Sequence, residues 1–151
     1  MHNHTNTKTA SLVAAWVLRL ALGSAFLVSV ADRLGWLGPH GATNVSWGDW
    51  PHFVAYVAIL NWFLPHIVAA PLAIVETMVE SAVAVALIVG ICPRLVAWIA
   101  AALLLSFALT MTAALGIVAP LSYSVYSAFG GALLLATVST PGSTAWSRRA
   151  I

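Results

Sequence analysis

Residues 67–91, IVAAPLAIVETMVESAVAVALIVGI, decide the fold of this chain. The run is longer than the roughly 20 residues that a helix needs to cross the hydrocarbon core of a bilayer. It also contains two acidic residues, Glu76 and Glu80. Because a carboxylate that faces lipid costs several kcal/mol, we expect both side chains to point into the interior of a helical bundle.

The composition of the whole chain indicates an integral membrane protein. Of 151 residues, 62% are hydrophobic and 7% are charged, and the mean hydropathy is +0.98. This length supplies one bundle but no second globular domain, so we expect residues 1–151 to form a single integral membrane domain. The lone Cys92 cannot form an internal disulfide, and no Cys/His spacing is typical of a zinc site. The few Lys and Arg residues form no patch for nucleic acid.

Three further apolar runs and their breakers predict the rest of the architecture. Gly35 follows the first run, Pro93 precedes the third, and Pro120 precedes the last. The sequence therefore predicts an all-α fold, a four-helix transmembrane bundle. Its spans cover about 12–31, 67–91, 95–115 and 121–138.

The segment 52–64 lies between the first two spans and is too short to cross a bilayer. Asn61 interrupts it and Pro65 ends it, so we interpret it as a short interfacial or re-entrant helix. The alternative is a fifth span over 53–75. That span would leave only 76–91 for the next crossing, with no turn between the two.

The distribution of basic residues predicts the orientation, because cytoplasmic segments retain Lys and Arg. With both termini in the cytoplasm, the inner side carries four basic residues and the outer segments carry only Arg33. The inner four are Lys8, Arg94, Arg148 and Arg149. We expect a multi-pass protein of the cell (inner) membrane, whose extracytoplasmic cap of about 32–66 is rich in tryptophan.

The first span admits a second interpretation, as a signal peptide cleaved after Ser29-Val30-Ala31. Arg19 lies inside what would be its apolar region and argues against cleavage. The mass of the intact protein distinguishes the two interpretations.

Arg19, Glu76 and Glu80 are the candidate catalytic residues. Glu76 and Glu80 are one helical turn apart and share a face with small and polar residues. At 1.5 Å per residue, Arg19 and Glu80 lie at similar depths, which predicts an Arg19–Glu80 ion pair with Glu76 one turn nearer the outer surface. The alternative is that Arg19 extends to the headgroups and the glutamates only join helices by hydrogen bonds.

Candidate ligand-binding residues come from polar side chains predicted near the outer surface. They are Tyr123, Tyr126, Ser124, Thr110, His66 and Trp62. Together with the glutamates, such residues could line a cavity for the polar head of a quinone, while packing between helices is the alternative. His40, His52 and His66 share the cap with Asp32 and Asp49, but their spacing matches no metal motif, so we predict no metal site.

Two stretches resemble the DoxX family of membrane proteins, which includes the small subunit of thiosulfate:quinone oxidoreductase. The first runs from Arg19 through Gly23 to Arg33-Leu34, similar to the family's arginine, glycine and terminal basic residue before leucine. The second comprises Glu80, Leu87, Gly90, Pro93 and Arg94, and Asn61-Trp62-Phe63-Leu64-Pro65 is also similar to the segment before the second span. The resemblance covers nearly the whole chain and implies a four-helix membrane bundle linked to quinone reduction or to a soluble redox partner.

These observations lead to three functional hypotheses. The first is a membrane subunit of a quinone-linked redox system, which binds quinone or relays protons for a soluble extracytoplasmic oxidoreductase. The second is a non-catalytic membrane anchor, chaperone or assembly protein, and the third is a small-solute or proton transporter that oligomerises. The sequence has no cysteine pair, nucleotide-binding glycine loop or haem ligand pair, so any enzyme would be a quinone-linked subunit and not self-sufficient.

Overall fold

A computed structural model describes residues 3–139, most of which are helical, with no β-strand among them. A single 3-10 turn, His66–Val68, precedes the third helix. The helices are α1 (Asn3–Arg33), α2 (Trp50–Leu60), α3 (Ala69–Val89), α4 (Pro93–Leu115), α5 (Val118–Ser122) and α6 (Val125–Val138). The all-α prediction is confirmed for this part of the chain.

Three helical segments are long and apolar enough to cross a membrane. They are Thr9–Arg33, His66–Val89 and Pro93–Leu115, of 25, 24 and 23 residues. Large apolar side chains cover their outer surfaces; the Met78 side chain, for example, is 67% exposed. Such a surface is compatible with a multi-pass membrane protein, since lipid would cover it.

The fourth apolar run is not one helix. It is divided at Tyr123 and Ser124, and Ser124 adopts a left-handed conformation with φ of +56°. The second piece, α6, has 14 residues, about 21 Å at 1.5 Å per residue, against a hydrocarbon core of about 30 Å. A four-helix transmembrane bundle is therefore not established by helix length.

The segment between α1 and α3 contains the short helix that the sequence predicts, shifted by two residues at its start. Asp49 accepts a hydrogen bond from the His52 backbone N–H and begins α2 as its N-cap. The chain leaves the helical conformation after Leu60 and resumes it at His66. The alternative of one span over 53–75 is therefore wrong.

Small side chains form the core where α1, α3, α4 and α6 meet. Ala84, Ala97, Ala100 and Ala132 are fully buried. Small residues let helix backbones approach closely, which is how helices associate without a hydrophobic driving force. On α3, Ala73, Val83 and Ala84 are also buried.

The bundle has two ends that differ in the segments they carry. The loop end carries residues 34–49, α2 and the C-terminal half of α1. The turn end carries residues 90–94, which connect α3 to α4. Because α1 and α3 pack against each other and run in opposite directions, the last residues of α1 lie near the first half of α3.

Candidate functional site

A buried ion pair joins α1 to α3 at the loop end. Arg33 Nη2 lies 2.6 Å from Glu80 Oε2, and both side chains are almost fully buried. Arg33 Nη1 donates to Thr77 Oγ1 at 3.0 Å, and Arg33 Nε donates to the Ser29 carbonyl at 3.2 Å. Glu80, a candidate catalytic residue, thus has Arg33 as its partner.

The predicted Arg19–Glu80 pair is wrong. Arg19 Nε donates to the Leu87 carbonyl at 2.9 Å, and its guanidinium carbon lies 4.2 Å from the centroid of the Trp16 ring. Its Nη2 is buried, has no hydrogen-bond partner and lies against Gly90. Arg19 therefore contacts the last turn of α3, well away from the site of Glu80.

The direction of helical side chains explains this outcome. Side chains lean toward the N-terminus of their own helix, so both arginines of α1 point toward the turn end. Arg19 consequently reaches Leu87 and Gly90, beyond Glu80. Arg33, the last residue of α1, turns back into the bundle and meets Glu80. A calculation of Cα depth alone omits this offset.

Aromatic rings cover the guanidinium of Arg33 on the loop side. Its central carbon lies 3.9 Å from the centroid of the Phe53 ring and 5.3 Å from that of Trp47. Phe53 and Trp47 contact each other edge to face at 5.0 Å. Such cation–π contacts stabilise a guanidinium that water cannot reach.

Asp32 holds Trp47 in this position. Its carboxylate accepts hydrogen bonds from the backbone N–H groups of Ser46, Trp47 and Gly48, at 2.8, 3.3 and 2.9 Å. Asp32 is itself buried, and these three donors compensate its charge. The neighbouring residues Asp32 and Arg33 therefore have separate tasks: one fixes the loop, and the other pairs with Glu80.

A cavity of about 1040 Å³ opens beside the ion pair at the loop end. Most of its wall is apolar, from α1, α2, α3, α4 and the start of α6. Polar side chains interrupt that wall; they include Arg33, Tyr56, Glu76, Glu80, Thr110 and Tyr123, together with Asp32, His40, Asn44, His52 and Asn61 near the loop. An apolar cavity with a few polar groups is the usual form of a small-molecule site.

The structure brings four of the sequence-predicted site residues to this cavity. Glu76 and Glu80 come from α3, Thr110 from α4, and Tyr123 from the residues that precede α6. Glu76 is half-buried, and among the described residues it makes no hydrogen bond. It lies one helical turn nearer the loop end than Glu80. Glu80 has Arg33 as its partner and Asp32 has three backbone N–H groups, whereas the Glu76 carboxyl group has no direct partner among the described residues.

The other predicted site residues lie elsewhere. The Tyr126 hydroxyl is 2.9 Å from Thr112 Oγ1 and joins α6 to α4. Ser124 is exposed at the start of α6, and His66 is exposed in the 3-10 turn. Trp62 is 68% exposed and contacts Phe63 edge to face. Arg19 is at the turn end, so none of these five lines the cavity.

Histidines of the loop end form a small exposed cluster. The His40 and His52 rings stack with centroids 3.8 Å apart, and His52 Nδ1 lies 2.7 Å from Asp49 Oδ1. The His52 backbone N–H, and then its ring, lower the pKa of the Asp49 carboxyl by hydrogen bonding. Among the side chains that the structure describes, no three from His, Cys, Asp or Glu are arranged to hold a metal ion.

Sequence reasoning missed Arg33, Asp32 and Tyr56. One signal for Arg33 was present, because it is the one basic residue in a segment assigned to the outer side. A basic residue there departs from the usual distribution of charge, and a buried partner accounts for the departure. Asp32 and Tyr56 have no comparable signal, since their roles depend on where residues 46–48 and α2 fold back.

Comparisons with protein-family models, with curated proteins and with solved structures find no match to this chain.

Proposed function

We propose that this protein is an integral membrane subunit of a quinone-linked redox system, with the quinone head bound in the cavity at the loop end. One observation carries this proposal: an apolar cavity of about 1040 Å³ whose wall contains the Arg33–Glu80 pair and the unpartnered carboxyl group of Glu76. The chain would work with a soluble extracytoplasmic redox protein, which supplies the electrons.

The residues of the cavity fit a quinone. A bound quinone would accept two electrons and two protons, and its carbonyl oxygens accept hydrogen bonds. The Tyr56 and Tyr123 hydroxyls are donors in the wall, and the remaining N–H groups of Arg33 add positive charge nearby. Apolar side chains such as Phe107 and Leu104 would exclude water from the ring.

Glu76 is the proton carrier in this proposal. When protonated, its carboxyl group donates a hydrogen bond and can release its proton toward the quinone head. It then recovers a proton from water at the open side of the cavity. Glu80 is less suited to that task because its carboxyl group is bound to Arg33, so its role is to keep Arg33 in place.

The resemblance to the DoxX family is part of the proposal and has support from two contacts. Arg33 and Glu80 belong to the two quoted stretches, lie 47 residues apart in sequence and form the buried ion pair. Arg19 and Gly90 belong to the same two stretches and also touch. Residues shared with a family pattern thus meet in pairs, as they would if the pattern preserved the packing of α1 on α3.

The membrane topology that we propose has four crossings, with α5 and α6 together as the last, and both termini in the cytoplasm. Arg33 was the one basic residue counted on the outer side, and it is buried in an ion pair. Without Arg33, the segments proposed to lie outside contribute no exposed Lys or Arg, which supports the proposed inner position of Arg94. Lys8 has a side chain outside the described part of the structure, and Arg148 and Arg149 lie outside it altogether. The inner membrane is the corresponding location.

Binding is tested directly with the full chain in lipid nanodiscs. Quinone that co-purifies is extracted and quantified by mass spectrometry, and a short-chain ubiquinone analogue is then titrated by quenching of tryptophan fluorescence. We expect about one quinone per chain, and a loss of about tenfold in affinity for Glu76→Ala, which corresponds to about 1.4 kcal/mol. The matched control is Thr137→Ala, an exposed position outside the cavity. Absence of quinone together with equal titrations would contradict the proposal.

A non-catalytic anchor for a soluble partner is the second candidate function. The observation that favours it is the exposure of Trp36 and Trp62 at the loop end, at 75% and 68%. Tryptophan is frequent at protein interfaces and also in the headgroup layer. The native complex, purified with Glu76→Gln and Glu80→Gln together, distinguishes the two functions. Full redox activity of that complex favours the anchor, and loss of activity with the partner still bound favours the quinone subunit.

A further inference from the structure

The charges around the cavity do not balance. Arg33 compensates Glu80 at 2.6 Å, and three backbone N–H groups compensate Asp32. Arg33 attracts Glu76 only from a distance, without a hydrogen bond. An ionised Glu76 would therefore leave one excess negative charge in a largely apolar wall, which is unfavourable unless a proton or another cation neutralises it.

Aromatic rings line the same cavity as Glu76. The cavity is lined by Phe26, Phe107, Tyr56 and Tyr123. Burial raises the pKa of the Tyr56 phenol, and negative charge on Tyr123 or Glu76 raises it further, so the phenol stays neutral. The faces of neutral aromatic rings attract organic cations, and the attraction increases when water is excluded.

We propose that this cavity binds an amphipathic organic cation, an ammonium or phosphonium ion with apolar substituents, and that Glu76 is its counter-ion. The apolar substituents would lie against the apolar wall and the charge against Glu76 and the rings. Glu80 cannot take that role, because Arg33 already neutralises it. Cation binding is independent of the proposed quinone binding. A cation requires the ionised form of Glu76, whereas a quinone carbonyl requires the protonated form, which donates a hydrogen bond.

This difference gives the two ligands opposite responses to pH. A cation displaces the proton of Glu76, so its affinity rises with pH, whereas a quinone that accepts a hydrogen bond from Glu76 binds better as pH falls. Other groups that face the cavity also carry or can gain charge: Glu80, Arg33, Asp32, His40, His52, Tyr56 and Tyr123. Protonation of His40 or His52 would likewise weaken cation binding, so the variants below separate their effect from that of Glu76.

The test uses tetraphenylphosphonium and the full chain in nanodiscs of zwitterionic lipid, with binding followed by equilibrium dialysis. We expect one saturable site per chain and an affinity that rises with pH, because protons compete with the cation for Glu76. Glu76→Gln should lower the affinity at least tenfold and remove most of the pH dependence, whereas His40→Gln with His52→Gln should retain the affinity. Asp49→Asn is the matched control, because it removes one exposed carboxylate and keeps an N-cap side chain.

Two results would overturn the inference. One is equal binding by wild type and Glu76→Gln when both have the same melting temperature. The other is equally tight binding of triphenylphosphine oxide, which is uncharged and has three of the same phenyl rings. Titration of the ubiquinone analogue on the same variants distinguishes the two proposals. Cation binding without quinone binding contradicts only the proposed redox function. Quinone binding without cation binding contradicts only the proposed cation site.

Discussion

The two arginines of α1 show how differently the two ends of the bundle are built. Arg33, at the loop end, has a carboxylate, a hydroxyl and a carbonyl as partners and lies beside a cavity. Arg19 is 14 residues earlier, about 21 Å along the helix, and has one carbonyl, one aromatic ring and an unpartnered nitrogen. The same residue type on the same helix thus forms an ion pair at one end and a helix cap at the other.

The surroundings explain the contrast. At the turn end, alanines and Leu87 fill the space between α1, α3, α4 and α6, and Arg19 binds the free carbonyl end of α3, where a cation is favourable. At the loop end, α2 and residues 46–48 fold over the bundle and leave a cavity with charged groups in its wall. Close packing stabilises the turn end, and compensation of charge dominates the loop end. Binding chemistry is therefore expected at the loop end.

The largest expected effect tests charge compensation at the loop end. Glu80→Gln leaves Arg33 buried without its counter-ion, and breaking a buried pair in this way costs about 3–5 kcal/mol. Glu76→Gln makes the same chemical change one turn away, where no ion pair or hydrogen bond is lost, so its cost should be much smaller. Unfolding in mild detergent, followed by circular dichroism, measures both. Equal losses would show that the pair does not stabilise this end.

An intermediate effect tests close packing at the turn end. Gly90 has φ of +91°, and a Cβ there would overlap Arg19 Nη2, so Gly90→Ala should destabilise the protein by about 1–3 kcal/mol. Gly130→Ala is the matched control, because Gly130 is helical and a Cβ there meets nothing within 4 Å. That control should be neutral or stabilising by up to about 1 kcal/mol. If Gly90→Ala were equally well tolerated, the packing of Arg19 against Gly90 would be wrong.

The smallest expected effect is a pH dependence at the exposed edge of the loop end. Hydrogen bonds from His52 hold the pKa of Asp49 below its ordinary value of 3.8. The ionised carboxylate therefore stabilises the folded state above that value, and this contribution is lost as pH falls through the lower, folded-state pKa. Melting temperatures at about pH 6 and pH 3 should consequently fall less for Asp49→Asn than for wild type. Parallel curves for the two proteins would contradict the role of His52.

The contrast between the two ends also explains which parts were predictable. Periodicity and breakers locate the long helices. The predicted span 67–91 corresponds to the 3-10 turn and α3, and the predicted span 95–115 corresponds to α4. The break at Ser124 was not predicted, because a left-handed serine has no marker in sequence. A short, apolar segment such as 52–64 is recognisable as helical, but its packing over Arg33 depends on contacts distant in sequence.

The site was predictable in its components but not in its pairing. Glu76 and Glu80 attract attention because charges are costly inside an apolar run. Their partner could not be deduced from Cα depth, since the lean of a helical side chain displaces its charged group by several ångströms toward the helix N-terminus. That displacement moves Arg19 past Glu80 and brings Arg33, which the sequence assigned to the outer cap, into the bundle.

Composition and hydropathy by themselves determined that this is a helical protein with segments long and apolar enough to cross a membrane, because the absence of water inside a bilayer requires apolar surfaces and internally bonded backbone. The sequence also determined that Glu76 and Glu80 share one face of a helix. Only the tertiary structure decided that Arg33 neutralises Glu80 and that Glu76 lies in the wall of a cavity without a direct partner. The physical reason is that the energy of a buried charge depends on the few groups within about 4 Å of it, and folding brings those groups together from distant parts of the chain.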